Sequence, residues 1–277
     1  MPDALRTKPG QLHIVMFSGG IGSWCSAHRV IEEHGRDNVI LLFADVGGTH
    51  PNPHVGEDSD CYRFINEAGA ALGAELVILN SAETIWDVFK RRSFLGNSRQ
   101  ANCSTELKQN PARKWLEENS SPDDTVVIGI DWTETHRIPA VEKAYAPHPV
   151  RFPMTEKPYM SRQEMIDLCK GQGVEPPRMY EQGFAHANCQ GACVRAGQGQ
   201  WRQVLQQNPD LFAYAETQEQ ELRDHLGKDV AILRDWKAGG VPLTLTAFRE
   251  RQATDQLDMF DADDIGGCGC FVQDATP

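Results

Sequence analysis

Short apolar runs alternate with segments of helical spacing along the first half of the chain. The runs LHIVMF, NVILLFADV, AELVILN and DTVVIGID are short and apolar and predict strands, and the continuous run NVILLFADV predicts a fully buried one. Between them, WCSAHRVIEEHG predicts a helix that ends at Gly35, and DCYRFINEAGAALG predicts a helix capped by Asp60 and ended by Gly73. This alternation predicts an α/β fold with a doubly wound parallel sheet.

The alternation ends near residue 150. PVRFPMTEKPY is rich in proline, SRQEMIDLCKGQG predicts a helix with a capping box between Ser161 and Glu164, and further helical segments follow Cys193. The stretch TAFRERQATDQLDMFDADD is acidic towards its end and predicts a mobile linker. We therefore divide the chain into an α/β domain over residues 1–150 and a mostly helical, cysteine-containing region over residues 151–277 that packs on it.

Composition narrows the class of protein. The chain has 277 residues, of which 40% are hydrophobic, enough for one sizeable core. Because no apolar run approaches the ~20 residues of a membrane span and the N-terminus lacks the apolar centre of a signal peptide, we expect a soluble, cytoplasmic protein without membrane partners. The net charge of −12 argues against a chain that grips a nucleic-acid backbone on its own.

A glycine-rich turn follows the first predicted strand, in MFSGGIGSWC. Backbone N–H groups of such a turn, backed by the start of a helix, can hold a phosphate group, and hydroxyls can add donors. A tight strand-to-helix turn without a ligand would have the same sequence. The position of this turn favours ligand binding, because ligands bind at the carboxyl ends of strands in doubly wound sheets. The candidate phosphate-binding residues are Ser18, Gly19, Gly20, Gly22 and Ser23.

This turn and five later segments, in this order, resemble the phosphoadenosine phosphosulfate (PAPS) reductase family of the adenine nucleotide alpha-hydrolase-like superfamily, the PP-loop ATP pyrophosphatases. The similar segments are SGGIGS, LLFADV, CSTELK, IGIDWTETHR, FPMTEKPYMSRQEMIDLC and MYEQGFAHANCQGAC. Together they cover Leu12 to about Cys193. The resemblance implies a PP-loop fold and an adenine nucleotide as ligand, either ATP or adenosine phosphosulfate (APS) or PAPS.

The resemblance also implies roles for single residues. Asp45 would lie near the adenosine, Arg137 would clamp a phosphate or sulfate through its planar fork, and Lys108 is a second candidate for the anion. Gly22 departs from the family pattern, because relatives that split ATP carry an acid there. The carboxylate for Mg²⁺ would then come from Asp45, Asp131 or Glu134.

The eight cysteines fall into two groups. Cys25, Cys61 and Cys169 are isolated in helical segments and predict core residues. The others are Cys103, the C-x₃-C pair Cys189 and Cys193, and Cys268 and Cys270 in the glycine-rich tail.

The resemblance implies a [4Fe–4S] cluster held by four cysteines of the second group. Cys103, Cys189 and Cys193 would bind it together with Cys268 or Cys270, and the remaining tail thiol would do sulfur chemistry. A structural Zn²⁺ site or reduced thiols without metal are the alternatives.

These features lead to one function with two alternatives. The preferred function is that of a sulfurtransferase, which adenylylates an acceptor with ATP and then inserts sulfur, as in tRNA thiolation or DNA phosphorothioation. A cysteine desulfurase would be the sulfur donor. Contact with nucleic acid would be local or shared with a partner protein. One alternative is an APS or PAPS reductase, in which Cys268 or Cys270 attacks the nucleotide, sulfite is released and thioredoxin restores the thiol. The other is a nucleotide-binding accessory subunit without catalysis.

Overall fold

The structure, a computed structural model, describes residues 10–47, 50–97 and 100–253. Its centre is a five-stranded parallel sheet in the order β3-β2-β1-β4-β5. The strands are β1 (His13–Met16), β2 (Val39–Asp45), β3 (Glu75–Asn80), β4 (Thr125–Val127) and β5 (Val150–Arg151), and a separate antiparallel pair is formed by β6 (Leu233–Asp235) and β7 (Val241–Leu243). The predicted α/β fold with a parallel sheet is confirmed.

The helices follow the strands in alternation through the first half of the chain and then succeed one another. Their bounds are α1 (Ile21–His34), α2 (Ser59–Leu72), α3 (Ile85–Arg92), α4 (Asn102–Ser104), α5 (Asn110–Asn119), α6 (Ile138–Tyr145), α7 (Arg162–Gly171), α8 (Gln198–Gln207), α9 (Pro209–Leu226) and α10 (Leu245–Ala253). A π-helical turn, Thr105–Gln109, joins α4 to α5. Within the described ranges, no helix is long and apolar enough to cross a membrane.

Hydrophobic cores cover both faces of the sheet. Along β1, Val15 belongs to one core, whereas Ile14 and Met16 belong to the other, because successive side chains of a strand point to opposite faces. The first core also contains Trp201 of α8 and Phe248 of α10. Residues from both sides of position 150 therefore share one core, and the second core is closed by α5 and α6.

Local sequence signals predicted most helix ends, with one correction. The C-terminal stops at Gly35 and Gly73 and the capping box of Ser161 and Glu164 are confirmed. The predicted cap Asp60 is wrong, because Asp58 caps α2 by accepting a hydrogen bond from the Asp60 N–H at 2.9 Å.

The predicted linker is also wrong over its first part. That part is α10, whose Leu245 and Phe248 are buried in the first core, and the packing of these two side chains outweighs the polar composition of the segment. The rest of the stretch, from residue 254, lies outside the described residues.

Glu219 of α9 binds the backbone of two later segments of the chain. Its side chain is buried, and its two oxygens accept hydrogen bonds from the N–H groups of Ile232 at 2.8 Å and Leu245 at 2.7 Å. Burial raises the pKa of this carboxyl above its ordinary value. Burial of this carboxyl group is tolerated because each of its oxygens accepts a hydrogen bond.

We expect Glu219→Ala to lower the free energy of unfolding by roughly 1–3 kcal/mol for each of the two N–H groups left without an acceptor. Glu221→Ala is the matched control on the same helix, since Glu221 is half exposed and its contacts with Lys90 at 3.4 Å and Gln218 at 3.1 Å lie at the surface. Its effect should stay within about 0.5 kcal/mol. Urea denaturation of both variants measures the difference, and equal stabilities would contradict this role of Glu219.

Candidate functional site

The glycine loop lies where the order of the sheet reverses. β1 pairs with β2 on one side and with β4 on the other, so residues 17–20 enter the crevice between the loops that follow these strands. In open α/β sheets this switch point is where ligands bind. Asp45 ends β2 and Asp131 follows β4, so the sheet brings both predicted carboxylates to the same edge as the loop.

The two serines of the loop mainly hold the loop itself. The Ser23 hydroxyl donates to the Gly20 carbonyl at 2.8 Å and accepts from the Ser18 N–H at 3.2 Å. Gly19 has a φ of +75°, and a Cβ there would lie 2.8 Å from the Cys61 sulfur, so glycine is required. The hydroxyls therefore shape the turn, and phosphate binding would rest chiefly on backbone N–H groups.

Tyr180 contacts the start of α1, and the sequence had not indicated it as a site residue. Its hydroxyl accepts a hydrogen bond from the Ile21 N–H at 3.0 Å, and a Cβ at Gly20 would lie 3.3 Å from the same oxygen. An anion oxygen bound at a helix start would occupy this kind of position. The only available signal was that Tyr180 belongs to MYEQGF, one of the segments of the family resemblance.

Gly22 packs against the loop after β4. A Cβ at Gly22 would lie 3.2 Å from the Gly129 carbonyl oxygen, and a Cβ at Gly129 would lie 2.9 Å from the Ser23 nitrogen. The two glycines thus bring two backbones together at the switch point. The missing acid at position 22 has a packing explanation, because any side chain there must be accommodated against the Gly129 carbonyl.

We expect Gly129→Ala to destabilise the protein by about 1–3 kcal/mol, the usual range for overpacking, since the new methyl group would meet backbone atoms that cannot swing away. Gly171→Ala, at the end of α7, is the control, because a Cβ there meets nothing within 4 Å. That variant should be neutral or slightly more stable. Thermal unfolding compares the two, and equal effects would contradict the tight contact between the backbones.

The carboxylate of Asp45 is engaged by Tyr62. Asp45 is buried and accepts a hydrogen bond from the Tyr62 hydroxyl at 2.7 Å, while that hydroxyl accepts from the Glu57 N–H at 3.0 Å. Burial raises the pKa of Tyr62, with the hydrogen bond to Asp45 acting in the same direction, so the phenol stays a donor. Asp45 is thereby fixed at the end of β2, beside the loop.

Asp131, Glu134 and Arg137 lie together after β4. Asp131 accepts from the Thr133 N–H at 2.7 Å, and the Arg137 Nη1 binds the Glu134 Oε1 at 2.5 Å. The predicted clamp is thus paired with a neighbouring carboxylate, at 12% exposure of the arginine side chain. His186 adjoins this group, and burial lowers its pKa, so its imidazole is neutral near pH 7.

Lys108 sits in a buried ion pair. Its Nζ lies 3.0 Å from the Glu57 Oε1, and the two side chains are 5% and 0% exposed. The other oxygen of Glu57 accepts a hydrogen bond from the Cys189 N–H. Lys108 belongs to the π-helical turn, an irregularity that is frequent at functional sites. Glu57, which the sequence did not single out for this, thus holds both the lysine and the cysteine segment.

Cys189 and Cys193 form a contacting pair. Cys189 and Gln190 have φ of 52° and 53°, a left-handed conformation that is costly for residues with a side chain. A hydrogen bond between the two thiols, together with burial, raises the pKa of Cys189 well above its ordinary value. Cys189 also lines a small cavity of about 30 Å³ between the loop after β2 and helices α3 and α9.

The four-cysteine cluster site stays a prediction. Over residues 10–253, apart from the gaps, no group of three or more His, Cys, Asp or Glu side chains is placed to hold a metal ion. Cys103 is partly buried and packs against the first core, and Cys268 and Cys270 lie outside the described residues. The described chain therefore supplies two sulfur atoms in contact, and a complete ligand set would need Cys103 and a tail cysteine to join them.

The three cysteines assigned to the core are confirmed there. Cys25, Cys61 and Cys169 are fully buried. Burial raises the pKa of Cys25 and of Cys169 to about 12, so neither is a thiolate at neutral pH.

Removing one partner of the Glu57–Lys108 pair should destabilise the protein by about 3–5 kcal/mol, because the other charge stays buried without compensation. We expect this from Glu57→Gln, and from Lys108→Met, in urea denaturation. The double variant should recover much of the loss, since it buries no charge. A double variant that loses the sum of both single effects would contradict the direct pairing.

Comparison with known proteins adds no family to these observations: no family model and no curated protein matches the chain. The resemblance to PAPS reductases therefore rests on the six ordered segments alone.

Proposed function

We propose that the chain is a sulfurtransferase of the PAPS reductase type that binds ATP over the glycine loop, adenylylates an oxygen of a nucleic acid and replaces that oxygen with sulfur. The observation that carries this proposal is the position of the loop. It lies at the switch point of a parallel sheet, at the start of a helix whose Ile21 N–H already binds a hydroxyl oxygen. That geometry suits a phosphate group.

The residues at the loop have distinct parts in this chemistry. The acceptor oxygen attacks the α-phosphorus of ATP, the bond to the bridging oxygen breaks and pyrophosphate leaves; a sulfur nucleophile then displaces AMP from the acceptor. The N–H groups at the start of α1 bind phosphate oxygens. Tyr180 places its hydroxyl oxygen at the same helix start, where it accepts from the Ile21 N–H. Arg137 offers its guanidinium to the pyrophosphate side, in competition with Glu134.

Mg²⁺ would be held by carboxylates at the strand ends. Asp45, Asp131 and Glu134 lie on the loops that follow β2 and β4, and a site for this ion needs only one or two carboxylates besides the phosphates. When bound, Mg²⁺ supplies positive charge to the leaving pyrophosphate. Gly22 is compatible with this arrangement, because the acid missing from the loop is available from the neighbouring strands.

Sulfur would come from a partner. Cys189 is partly buried, and its hydrogen bond with Cys193 raises its pKa, which argues against a free nucleophile there. Cys189 and Cys193 instead suit two ligands of the [4Fe–4S] cluster, with Cys103 and Cys268 or Cys270 completing it, or of a structural Zn²⁺ site. A persulfide delivered by a cysteine desulfurase is the proposed sulfur source. Its outer sulfur would displace AMP, and a second thiol would then attack the inner sulfur, so that the S–S bond to the acceptor breaks and a disulfide forms between the two thiol carriers.

Anaerobically purified protein should convert ATP to AMP and pyrophosphate when a nucleic-acid acceptor is present, and should contain iron and sulfide. Arg137→Ala should weaken ATP binding about 10- to 100-fold, the loss of a charge-assisted hydrogen bond. Calorimetric titration with ATP measures this. Arg249→Ala is the control, because Arg249 pairs with Glu216 on the surface of the C-terminal helices.

Unchanged affinity of Arg137→Ala would remove Arg137 from the site, and a chain that binds no ATP would overturn the proposal. Release of sulfite from APS or PAPS in the presence of thioredoxin, without ATP turnover, would assign the reductase reaction instead.

A further inference from the structure

Two large aromatic side chains are exposed side by side beyond the loop after β4. Trp132 is 48% exposed and Tyr159 is 52% exposed. Their ring centroids lie 5.9 Å apart, with the planes inclined by 38°. Single exposed aromatics are ordinary, but two in contact form a flat apolar surface that gains by being covered.

Both halves of this aromatic pair are fixed to the candidate site. Trp132 lies in the turn closed by the Thr133 N–H and the Asp131 carboxylate, three residues after Gly129, so its Cα is within about 11 Å of that of Gly129. Arg29 of α1 holds the segment before Tyr159, through hydrogen bonds to the carbonyls of Pro153 at 2.7 Å and Pro158. The helix that begins at the glycine loop therefore also anchors the aromatic pair.

Two exposed cations flank one ring of the pair. Lys157 and Arg162 flank Tyr159 in the chain, both are exposed, and neither forms a salt bridge with any residue that the structure describes. Acids adjoin both rings, and each is engaged. Beside Tyr159, Glu156 binds Arg151 at 2.8 Å and Glu164 accepts from the Ser161 N–H at 2.7 Å. Beside Trp132, Glu134 binds Arg137 at 2.5 Å and Asp131 accepts from the Thr133 N–H at 2.7 Å. In a chain of net charge −12, a local surface with two cations outside any described salt bridge and two exposed aromatic rings in contact favours an anionic ligand with a flat ring.

We propose that Trp132, Tyr159, Lys157 and Arg162 form the subsite for the acceptor strand, in which an unpaired base stacks on the rings and the flanking phosphates meet the two cations. This inference rests on the proposed function, since it supplies the substrate contact for the same site. It also reconciles an acidic chain with a nucleic-acid acceptor, because the contact is short and local.

The order of the sheet separates this subsite from the base of bound ATP. β2 and β4 lie on opposite sides of β1, about 10 Å apart at the usual strand spacing. The adenosine is expected beside Asp45, at the end of β2, whereas Trp132 follows β4. ATP bound at the glycine loop with its adenosine towards β2 would leave the β4 side of the site open to the acceptor strand.

The test measures binding of fluorescein-labelled single strands of dT₁₂ and rU₁₂ to the full chain by anisotropy, and ATP binding on the same samples. Trp132→Ala and Tyr159→Ala should each weaken binding of the strands at least about fivefold, the lower end of base–aromatic stacking, with ATP affinity unchanged. The double variant of Lys157→Ala and Arg162→Ala should weaken binding and reduce its dependence on salt concentration.

Trp236→Ala is the matched control. Trp236 is 56% exposed, directly after β6, away from the parallel sheet, and its replacement should leave strand binding unchanged. Equal losses in Trp236→Ala and Trp132→Ala would overturn the proposal, as would a wild-type chain that binds ATP but neither strand. Loss of ATP binding in Trp132→Ala would assign the rings to the cofactor's adenine and equally overturn it. A chain that binds the strands as expected but no ATP would refute the proposed function while leaving this subsite supported.

Discussion

The buried carboxylate of Glu57 sets the positions of the other groups around the site. Moving an ion pair out of water costs several kcal/mol per ion, and the attraction between the ions offsets this only where their remaining hydrogen-bonding atoms are satisfied. Glu57 meets this condition with one oxygen on Lys108 and the other on the Cys189 N–H. Three segments that are far apart in the chain therefore have to meet at one carboxylate: the loop after β2, the π-helical turn and the cysteine turn.

The start of α2 connects this ion pair to the glycine loop. Glu57 precedes the helix, the Cys61 thiol donates to the Gly19 carbonyl at 3.7 Å, and Tyr62 donates to Asp45. Three residues within six consecutive positions thus contact the cysteine turn, the glycine loop and the carboxylate of β2. A displacement of the cysteine turn would be transmitted through this short segment to the glycine loop, so the proposed nucleotide binding would be coupled to the position of Cys189.

Patterns that repeat locally predicted the fold well. The continuous apolar runs of β1 and β2, the glycine stops and the capping box of α7 each depend on neighbouring residues, and each is found as expected. The first part of the predicted linker is a helix because Leu245 and Phe248 reach a core built mostly by distant segments.

The site was predictable only in its loop. The contact of Tyr180 with Ile21 spans 159 positions, and that of Glu57 with Cys189 spans 132. The local spacing of these residues does not predict such contacts. The contacts result from the order of the strands and from the packing of the C-terminal region on the first core. The contact of Glu134 with Arg137 is of the opposite kind, because the two residues are three apart and lie within one turn.

Gly22 makes the loop a better anion site than an acid at the same position would. The first turn of α1 contains no acidic residue, so the partial positive charge at its start is not neutralised by the chain itself. The Tyr180 hydroxyl that binds the Ile21 N–H is neutral and leaves this charge in place. A carboxylate at position 22 would sit against the Gly129 carbonyl and oppose an incoming phosphate. With the acids at the ends of β2 and β4, the helix start keeps its partial positive charge apart from the carboxylates, which is the separation that the proposed binding of ATP and Mg²⁺ would need.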